Sequence, residues 1–370
     1  MTESTGFASD LSVIVADMDA VRARTLALVE HIDAEGLERQ VTPILSPLVW
    51  DLGHIAAFED LWLVHRHAGE PLLRPELAAV YDAQSTPRPA RSNAPLLGAD
   101  EVFDYMAAVR ERVLRAIERR GVDPYLHEMV LRHELQHTET MRQAMALADL
   151  LPAGEPPLRT VPADGPEWIE VPEGEFAMGA DGTGYAYDNE LPRHVVALDA
   201  YRIARRPVTN AQYREFVADG GYRRRELWSA AGWEWLRAER IEPPAGASDG
   251  HPDAPVCHVS FHEAQAFARW RGARLPTEAE WERAADLLDG VGIAWEWTAT
   301  EFDGYPGFVA RPYREYSEIF FRKGYRVLRG ASWATHPRVA TRTFRNWDLP
   351  VRRQIFAGLR LAADAEGADA

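Results

Sequence analysis

Leu11, Ile14, Val15, Met18 and Val21 recur at three- and four-residue spacing, the period that gathers side chains on one face of an α-helix, and Leu26 is read as continuing that helix. A second helix is predicted from Ser46 as N-cap and Pro47 at the first helical position, running through Trp50, His54, Phe58 and Leu61. The stretch Gly69 to Gly98 is rich in proline and breaks the pattern. A third helix is predicted over Ala99 to Arg120, and a fourth starts after Asp123-Pro124. Four amphipathic helices with one long connection suggest a four-helix bundle.

The pattern changes after Pro152 to Pro166, a stretch rich in proline and glycine. The domain boundary is placed there, giving a helical bundle over 1–155 and a second domain over 156–370. Short strand-like runs (Trp168 to Val171, Glu175 to Met178, His194 to Leu198) alternate with glycine-rich loops. Helices are few. Two carry capping boxes, Ser260 with Glu263 and Thr277 with Glu280, and another begins near Thr209-Asn210 and stops at Gly220-Gly221. Trp228, Trp233, Trp235, Trp295, Trp297, Trp333 and Trp347 stand in loop-like contexts. The second domain therefore reads as loop-rich α+β, not a βαβ array. There is no internal repeat, and no low-complexity tract apart from an alanine-rich tail after Leu361.

At 370 residues, with 46% hydrophobic and 26% charged positions, the chain has material for two sizeable cores. The formal net charge of −16 argues against nucleic acid and against anionic membrane surfaces as partners, but says little about small substrates. Cys257 is the single cysteine, so no intrachain disulfide can form. It sits in Pro255-Val256-Cys257-His258-Val259, which reads as a buried strand with the cysteine as a small core residue. Cysteine scarcity fits a reducing compartment. Met1 to Asp10 lacks the basic and apolar regions of a signal peptide, and no apolar run reaches transmembrane length. A soluble, cytoplasmic, monomeric protein is expected.

The candidate chemistry lies on the fourth helix, in Leu131-Arg132-His133-Glu134-Leu135-Gln136-His137-Thr138-Glu139-Thr140-Met141. Histidines four apart lie one turn apart on one helical face. His133-Glu134-Leu135-Gln136-His137 also satisfies the H-E-x-x-H pattern of zinc metalloproteases, in which Glu134 would be the general base. The metzincin extension is missing from Thr138 to Met141. Glu155 has about the right separation for a thermolysin-like third ligand but stands in the Pro/Gly linker. A third histidine, His54, falls on the second helix of the same bundle, and bundle cores build metal sites from facing helices in this way. His65 and His67, near the end of that helix, are expected to be surface cations. Three neutral nitrogens suit zinc with a water, or Fe(II) with room for substrate and O2; spacing does not choose between them.

These residues also carry a resemblance. Ser46-Pro47-Leu48-Val49-Trp50-Asp51-Leu52-Gly53-His54 and His133-x3-His137-x-Glu139 resemble the DinB-type helical bundle. The second domain resembles the formylglycine-generating-enzyme (sulfatase-modifying factor) type of C-type-lectin-like domain. Its marks are Val171-Pro172-x-Gly174-x-Phe176-x-Met178-Gly179, Pro207-Val208-Thr209-Asn210, Arg274-Leu275-Pro276-Thr277-Glu278-Ala279-Glu280-Trp281-Glu282, Trp295-Glu296-Trp297-Thr298 and Leu328-Arg329-Gly330. The pairing is similar to the sulfoxide synthases of ergothioneine biosynthesis (EgtB-type hercynine oxygenases). The chain departs from the formylglycine-generating enzymes themselves, whose paired active-site cysteines it lacks.

The resemblance implies non-haem Fe(II) held by His54, His133 and His137, and oxidative joining of a thiol to imidazole C2 of hercynine with sulfoxidation of the sulfur. It implies that Gln136 and Asn346 contact hercynine and that Trp347 suits its trimethylammonium group. It also implies that Arg88 and Arg91, with Asp348 and Arg352, grip the thiol substrate. That set favours γ-glutamylcysteine, with its carboxylates and ammonium, over cysteine or a selenium-containing sugar. Tyr313 is the expected proton donor and Tyr316 the expected substrate contact. From other classes, a zinc hydrolase built on His133-Glu134-x-x-His137 and a non-catalytic lectin-like binding module stay open.

Overall fold

The computed structural model describes residues 11–245 and 250–365. The Met1 to Asp10 stretch and the end of the alanine-rich tail lie outside them. The chain divides into two compact units, Met1–Glu155 and Pro156–Ala370. Among the described residues no helix is long and apolar enough to cross a membrane.

In the first unit α1 spans Leu11–Val29, a short α2 Ala34–Glu38, α3 Leu48–Glu59, α4 Ala99–Arg120 and α5 Pro124–Ala148. The long helices form the bundle: α1 packs on α5, and α3 on both α4 and α5. Asp123 caps α5 by accepting from the amides of Tyr125 and Leu126, with Pro124 in the first turn, where its missing N–H costs nothing. The start of α3 differs from expectation. Pro47, not Ser46, is the capping position, and the Ser46 hydroxyl accepts a hydrogen bond from Arg91 instead. The helix also does not run regularly through Leu61; from Asp60 to His67 it widens into a π-helix. Leu26 is exposed, because the buried face of α1 passes through Met18, Val21, Arg22, Thr25 and Leu28. Two of these are polar, which is why the apolar period alone misplaced the face.

The second unit is α+β and built on small sheets. Strands β1 (Trp168–Val171), β4 (Tyr201–Ala204) and β9 (Ala362–Asp364) form one antiparallel sheet, and β2 (Gly174–Met178) pairs with β3 (His194–Leu198). The largest sheet has the order β7 (Asn346–Asp348), β6 (Arg326–Arg329), β5 (Trp295–Glu301), β8 (Ala357–Gly358), antiparallel except for the parallel pairing of β5 with β8. Helices α6 (Asn210–Ala218), α8 (Phe261–Trp270) and α9 (Glu278–Ala284) start at Thr209, Ser260 and Thr277, whose hydroxyls each accept the backbone amide of the third helical residue. Gly221 follows α6 because a Cβ there would lie 2.1 Å from the Phe216 ring.

Several tryptophans are not in loops. Trp233 and Trp235 lie on α7 (Ala230–Ala238), Trp295 and Trp297 on β5, and Trp347 on β7. The buried charge of Glu296, bonded to Trp281 and Arg360, interrupts the apolar run that would have marked β5 as a strand. Cys257 is half-buried and outside any strand, since only the neighbouring Pro255 forms an isolated bridge, to Thr209.

Candidate active site

Three imidazoles converge in the bundle core. The potential ligand nitrogens of His54, His133 and His137 all lie within 4.8 Å of one another. His54 comes from α3; His133 and His137 come from successive turns of α5. Ring centroids are 4.9 Å apart for His54–His133, 4.6 Å for His54–His137 and 4.5 Å for His133–His137.

Neighbouring groups set the tautomers. His54 Nδ1 donates to the Tyr81 carbonyl at 2.6 Å, and His137 Nδ1 donates to Asp51 Oδ1 at 2.9 Å. A neutral imidazole with Nδ1 protonated carries its lone pair on Nε2. The Nε2 atoms of His54 and His133 face each other at 3.1 Å. Burial holds His54 and His133 well below the usual imidazole range, and the nearby His137 adds to the effect. Converging ring nitrogens, with the other nitrogen of His54 bonded to a carbonyl and that of His137 to a carboxylate, are the donor set and support that a metal ion requires. The three histidines can hold a metal ion.

Packing fixes the ring planes. Trp50 stacks on His54 at 4.6 Å and 14°, and Phe58 on His133 at 3.6 Å and 10°. Gly53 is what lets Tyr81 reach His54: a Cβ at that position would lie 2.3 Å from the Tyr81 ring. The Tyr81 hydroxyl accepts the Leu97 amide at 3.0 Å, tying down the other end of the side chain.

Glu134 does not face the histidines' shared space as a base would. Its Oε1 accepts from Arg22 Nε at 2.9 Å and from Thr25 Oγ1 at 2.7 Å, in the buried core toward α1. Glu155 pairs with Arg142 at 2.7 Å. The features that matched a zinc protease are thus committed elsewhere. His65 and His67 donate to the carbonyls of Glu70 and Gly121 at 2.8 and 3.0 Å.

Gln136 is half-buried on α5 beside His137. Arg88 and Arg91 share one 3₁₀ turn but not one environment. Arg88 is exposed. Arg91 is buried, donates to the Thr86 carbonyl and the Ser46 hydroxyl, and lays its guanidinium over Trp50 with Cζ 3.2 Å from the ring centroid. Burial pulls its pKa down to about 9.

In the second unit, the β7 residues Asn346, Trp347 and Asp348 are half-buried. Asp348 Oδ1 lies 3.6 Å from Arg352 Nε and accepts the Leu349 amide at 2.7 Å. Trp347 stacks on Phe302 at 4.2 Å and 7°, with Tyr316 edge-on at 5.3 Å and Phe320 at 5.6 Å. Tyr313 and Tyr316 stand 6.2 Å apart across one turn. Tyr316 also stacks on Tyr187 at 4.6 Å, and the Ser317 hydroxyl donates to buried Asp188. The two tyrosines and Trp347 therefore form one aromatic cluster.

Sequence reasoning missed Asp51, Tyr81, Arg22 and Asp188. Asp51 was readable in principle, as a carboxylate three residues before His54. The others depend on contacts distant in sequence.

Comparison with known proteins decides the family. The chain is 41% identical to the hercynine oxygenase of Mycolicibacterium thermoresistibile over an alignment of 420 positions, covering 93% of each. It is 39% identical to the hercynine oxygenase of Mycolicibacterium smegmatis, covering 94% of this chain and 98% of that one. The chain belongs to the hercynine oxygenase family. Its members are oxidoreductases. The DinB superfamily model matches residues 17–141, and the sulfatase-modifying factor enzyme 1-like domain model matches 154–287 and 284–365. Over an alignment of 180 positions, covering 41% of this chain and 57% of that one, the chain is also 41% identical to the formylglycine-generating enzyme of Streptomyces coelicolor.

Proposed function

We propose that the protein is an O2-dependent sulfoxide synthase that joins hercynine, through imidazole C2, to γ-glutamylcysteine, with Fe(II) held by His54, His133 and His137. The observation that carries this reading is the paired tautomer control in the bundle. With Nδ1 of His54 and of His137 both bonded, their Nε2 lone pairs are left to face a metal. Kinship with hercynine oxygenases over nearly the whole chain supplies the substrate class.

The stoichiometry balances with one O2. The imidazole C2–H and the thiol S–H bonds break, C–S and S=O form, one oxygen atom enters the sulfoxide and the other leaves as water. Carbon and sulfur together give up the four electrons that O2 takes. Iron, once bound to the histidines, would supply the activation of O2. The chain's own residues bind and orient. His54, His133 and His137 would hold the ion and leave it room for further ligands. Asp51 and the Tyr81 carbonyl hold two of the imidazoles in their ligating tautomers. Gln136 and Asn346 are assigned to hercynine. Trp347, with Phe302, Tyr316 and Phe320 about it, suits a trimethylammonium group through cation–π attraction. Asp348, Arg352 and Arg88 are assigned to the ammonium and carboxylates of γ-glutamylcysteine. Arg91 belongs to the same assignment, although its guanidinium is turned inward on Trp50. Tyr313 is the assigned proton donor, and Tyr316 the assigned substrate contact.

Anaerobic reconstitution with Fe(II), followed by O2 with hercynine and either γ-glutamylcysteine or cysteine, tests the reading by product mass. The γ-glutamyl sulfoxide should dominate. A cysteine adduct formed faster would change the donor, and turnover with zinc but not iron would overturn the proposal. His137→Ala should abolish iron uptake. Tyr313→Phe should shift product from coupled sulfoxide toward sulfinic acid; an unchanged ratio removes Tyr313 from that role.

A further inference from the structure

The H-E-x-x-H pattern leaves one residue without a part in the proposed chemistry. Glu134 directly follows a histidine of the site, yet its carboxylate is buried on another face of α5. It does not lie there alone. Arg22 of α1 donates through Nε to Glu134 Oε1 at 2.9 Å and through Nη2 to Glu134 Oε2 at 3.2 Å; the same Nη2 reaches Glu59 Oε2 at 2.5 Å. Glu59 closes α3, just past His54 on that helix. One guanidinium thus holds a carboxylate from each helix that carries histidines. Arg110 of α4 bonds Glu59 Oε1 at 2.6 Å and the Met18 carbonyl at 2.7 Å, and Arg22 Nη1 reaches the Met106 carbonyl at 3.3 Å. Arg22, Glu59, Arg110 and Glu134 are each no more than 8% exposed.

A buried network of this kind is weak grounds for claiming stability, because well-packed apolar residues often serve as well; its best-attested use is to fix register. The geometry suits that use. Sliding α3 against α5 by one residue is a shift of about 1.5 Å, enough to break bonds at the lengths found here, while apolar side chains on the same helices tolerate such slips. The histidines need that register, since two come from one helix and the third from the other.

We propose that Arg22 is a positioning residue for the three-histidine site, acting through Glu59 and Glu134 to set the register of α3 against α5. The inference rests on reading the histidines as a metal site.

The test uses Co(II), whose visible absorption reports coordination geometry, on the full chain. The variant Arg22→Met/Glu59→Leu/Arg110→Met/Glu134→Leu removes the whole network and leaves no charge stranded. Thr25 keeps its bond to the Val21 carbonyl. This variant should fold with an unfolding midpoint at or above that of the unaltered chain. Its Co(II) affinity should fall by about 10-fold or more, the scale of lost outer support, with altered absorption bands. Arg22→Lys, a point charge that cannot bridge two carboxylates as a fork does, should show a smaller loss in the same direction. A folded quadruple variant with unchanged affinity and spectrum overturns the inference while leaving the site intact. Should the quadruple variant not fold, unchanged affinity in Arg22→Lys overturns it instead. An unaltered chain that takes up no Co(II) overturns the reading of the histidines themselves.

Discussion

The two units bury arginines for different ends. In the bundle, long helices satisfy their own backbone groups, so the guanidiniums of Arg22 and Arg110 turn chiefly to the carboxylates of Glu59 and Glu134. In the second unit strands are short and loops long, and the carbonyls of Asn189, Asp303, Ala204, Arg205 and Asp289 are each reached by a buried guanidinium. There the arginines act on the backbone. Arg345 bonds Glu278 through two nitrogens and also donates to the carbonyls of Asn189 and Asp303. Arg360 bonds Glu296 and the carbonyls of Ala204, Arg205 and Asp289. A buried polar carbonyl must find a donor. Among the long helices of the bundle regular structure provides it; in the second unit, as at Arg91 in the connection between α3 and α4, guanidiniums stand in for missing ladders.

This contrast can be broken by substitution. Arg345→Met would leave Glu278 with Arg329 Nη1 at 3.7 Å as its remaining charge partner and take the donor from two internal carbonyls, so it should destabilise by about 3 kcal/mol, the lower end of the scale for removing one partner of a buried pair. Urea unfolding followed by tryptophan fluorescence would measure it, and a cost below about 1 kcal/mol would remove the distinction between the units. Gly53→Ala should cost less, about 1–3 kcal/mol for overpacking, because its new methyl meets the Tyr81 ring rather than stripping a charge. Its effect should also reach the metal. Pushing Tyr81 away lengthens the bond from His54 Nδ1 to the Tyr81 carbonyl, so metal affinity should fall along with stability. A destabilised variant with unaltered metal affinity would show that this carbonyl does not support His54.

The same contrast governs what the sequence makes legible. His133 and His137 are readable because a regular helix turns a four-residue interval into a shared face, and Asp123-Pro124 marks where that helix begins. His54 is readable for the same reason once its helix is recognised. Arg22 and Thr25 are not, because apolar periodicity cannot distinguish a buried polar position from the edge of a face; Leu26 was placed inward in their stead. In the second unit, the capping boxes at Ser260 and Thr277 are local and show through. The strand holding Trp295 and Trp297 does not, because Glu296 between them is buried only by virtue of Arg360 and Trp281, both distant in sequence. Asp188 beside the Tyr313–Tyr316 turn is hidden likewise, since Ser317 lies far along the chain.

Asp188 also sharpens the contrast through pH. Burial raises the carboxyls of both Glu59 and Asp188, but two guanidiniums overcome this at Glu59 and hold it below its ordinary value. Asp188 has the Ser317 hydroxyl and backbone amides, which offset burial only in part, and its pKa stands at about 6 against an ordinary 3.8. The signs are therefore opposite. Glu59 contributes stability above its unfolded pKa, and this is lost as pH falls through its lower folded value. The folded state binds a proton at Asp188 more tightly than the unfolded chain does. Its contribution is complete below pH 3.8 and is lost as pH rises through about 6. Asp188→Asn, which mimics the protonated side chain, should flatten the stability of the second unit between those limits. The change in slope should be at most on the order of 1 kcal/mol per pH unit. Urea unfolding of both forms across that window would measure it. Parallel pH profiles for the two forms would mean that Asp188 titrates normally, and that Ser317 and the amides offset its burial in full.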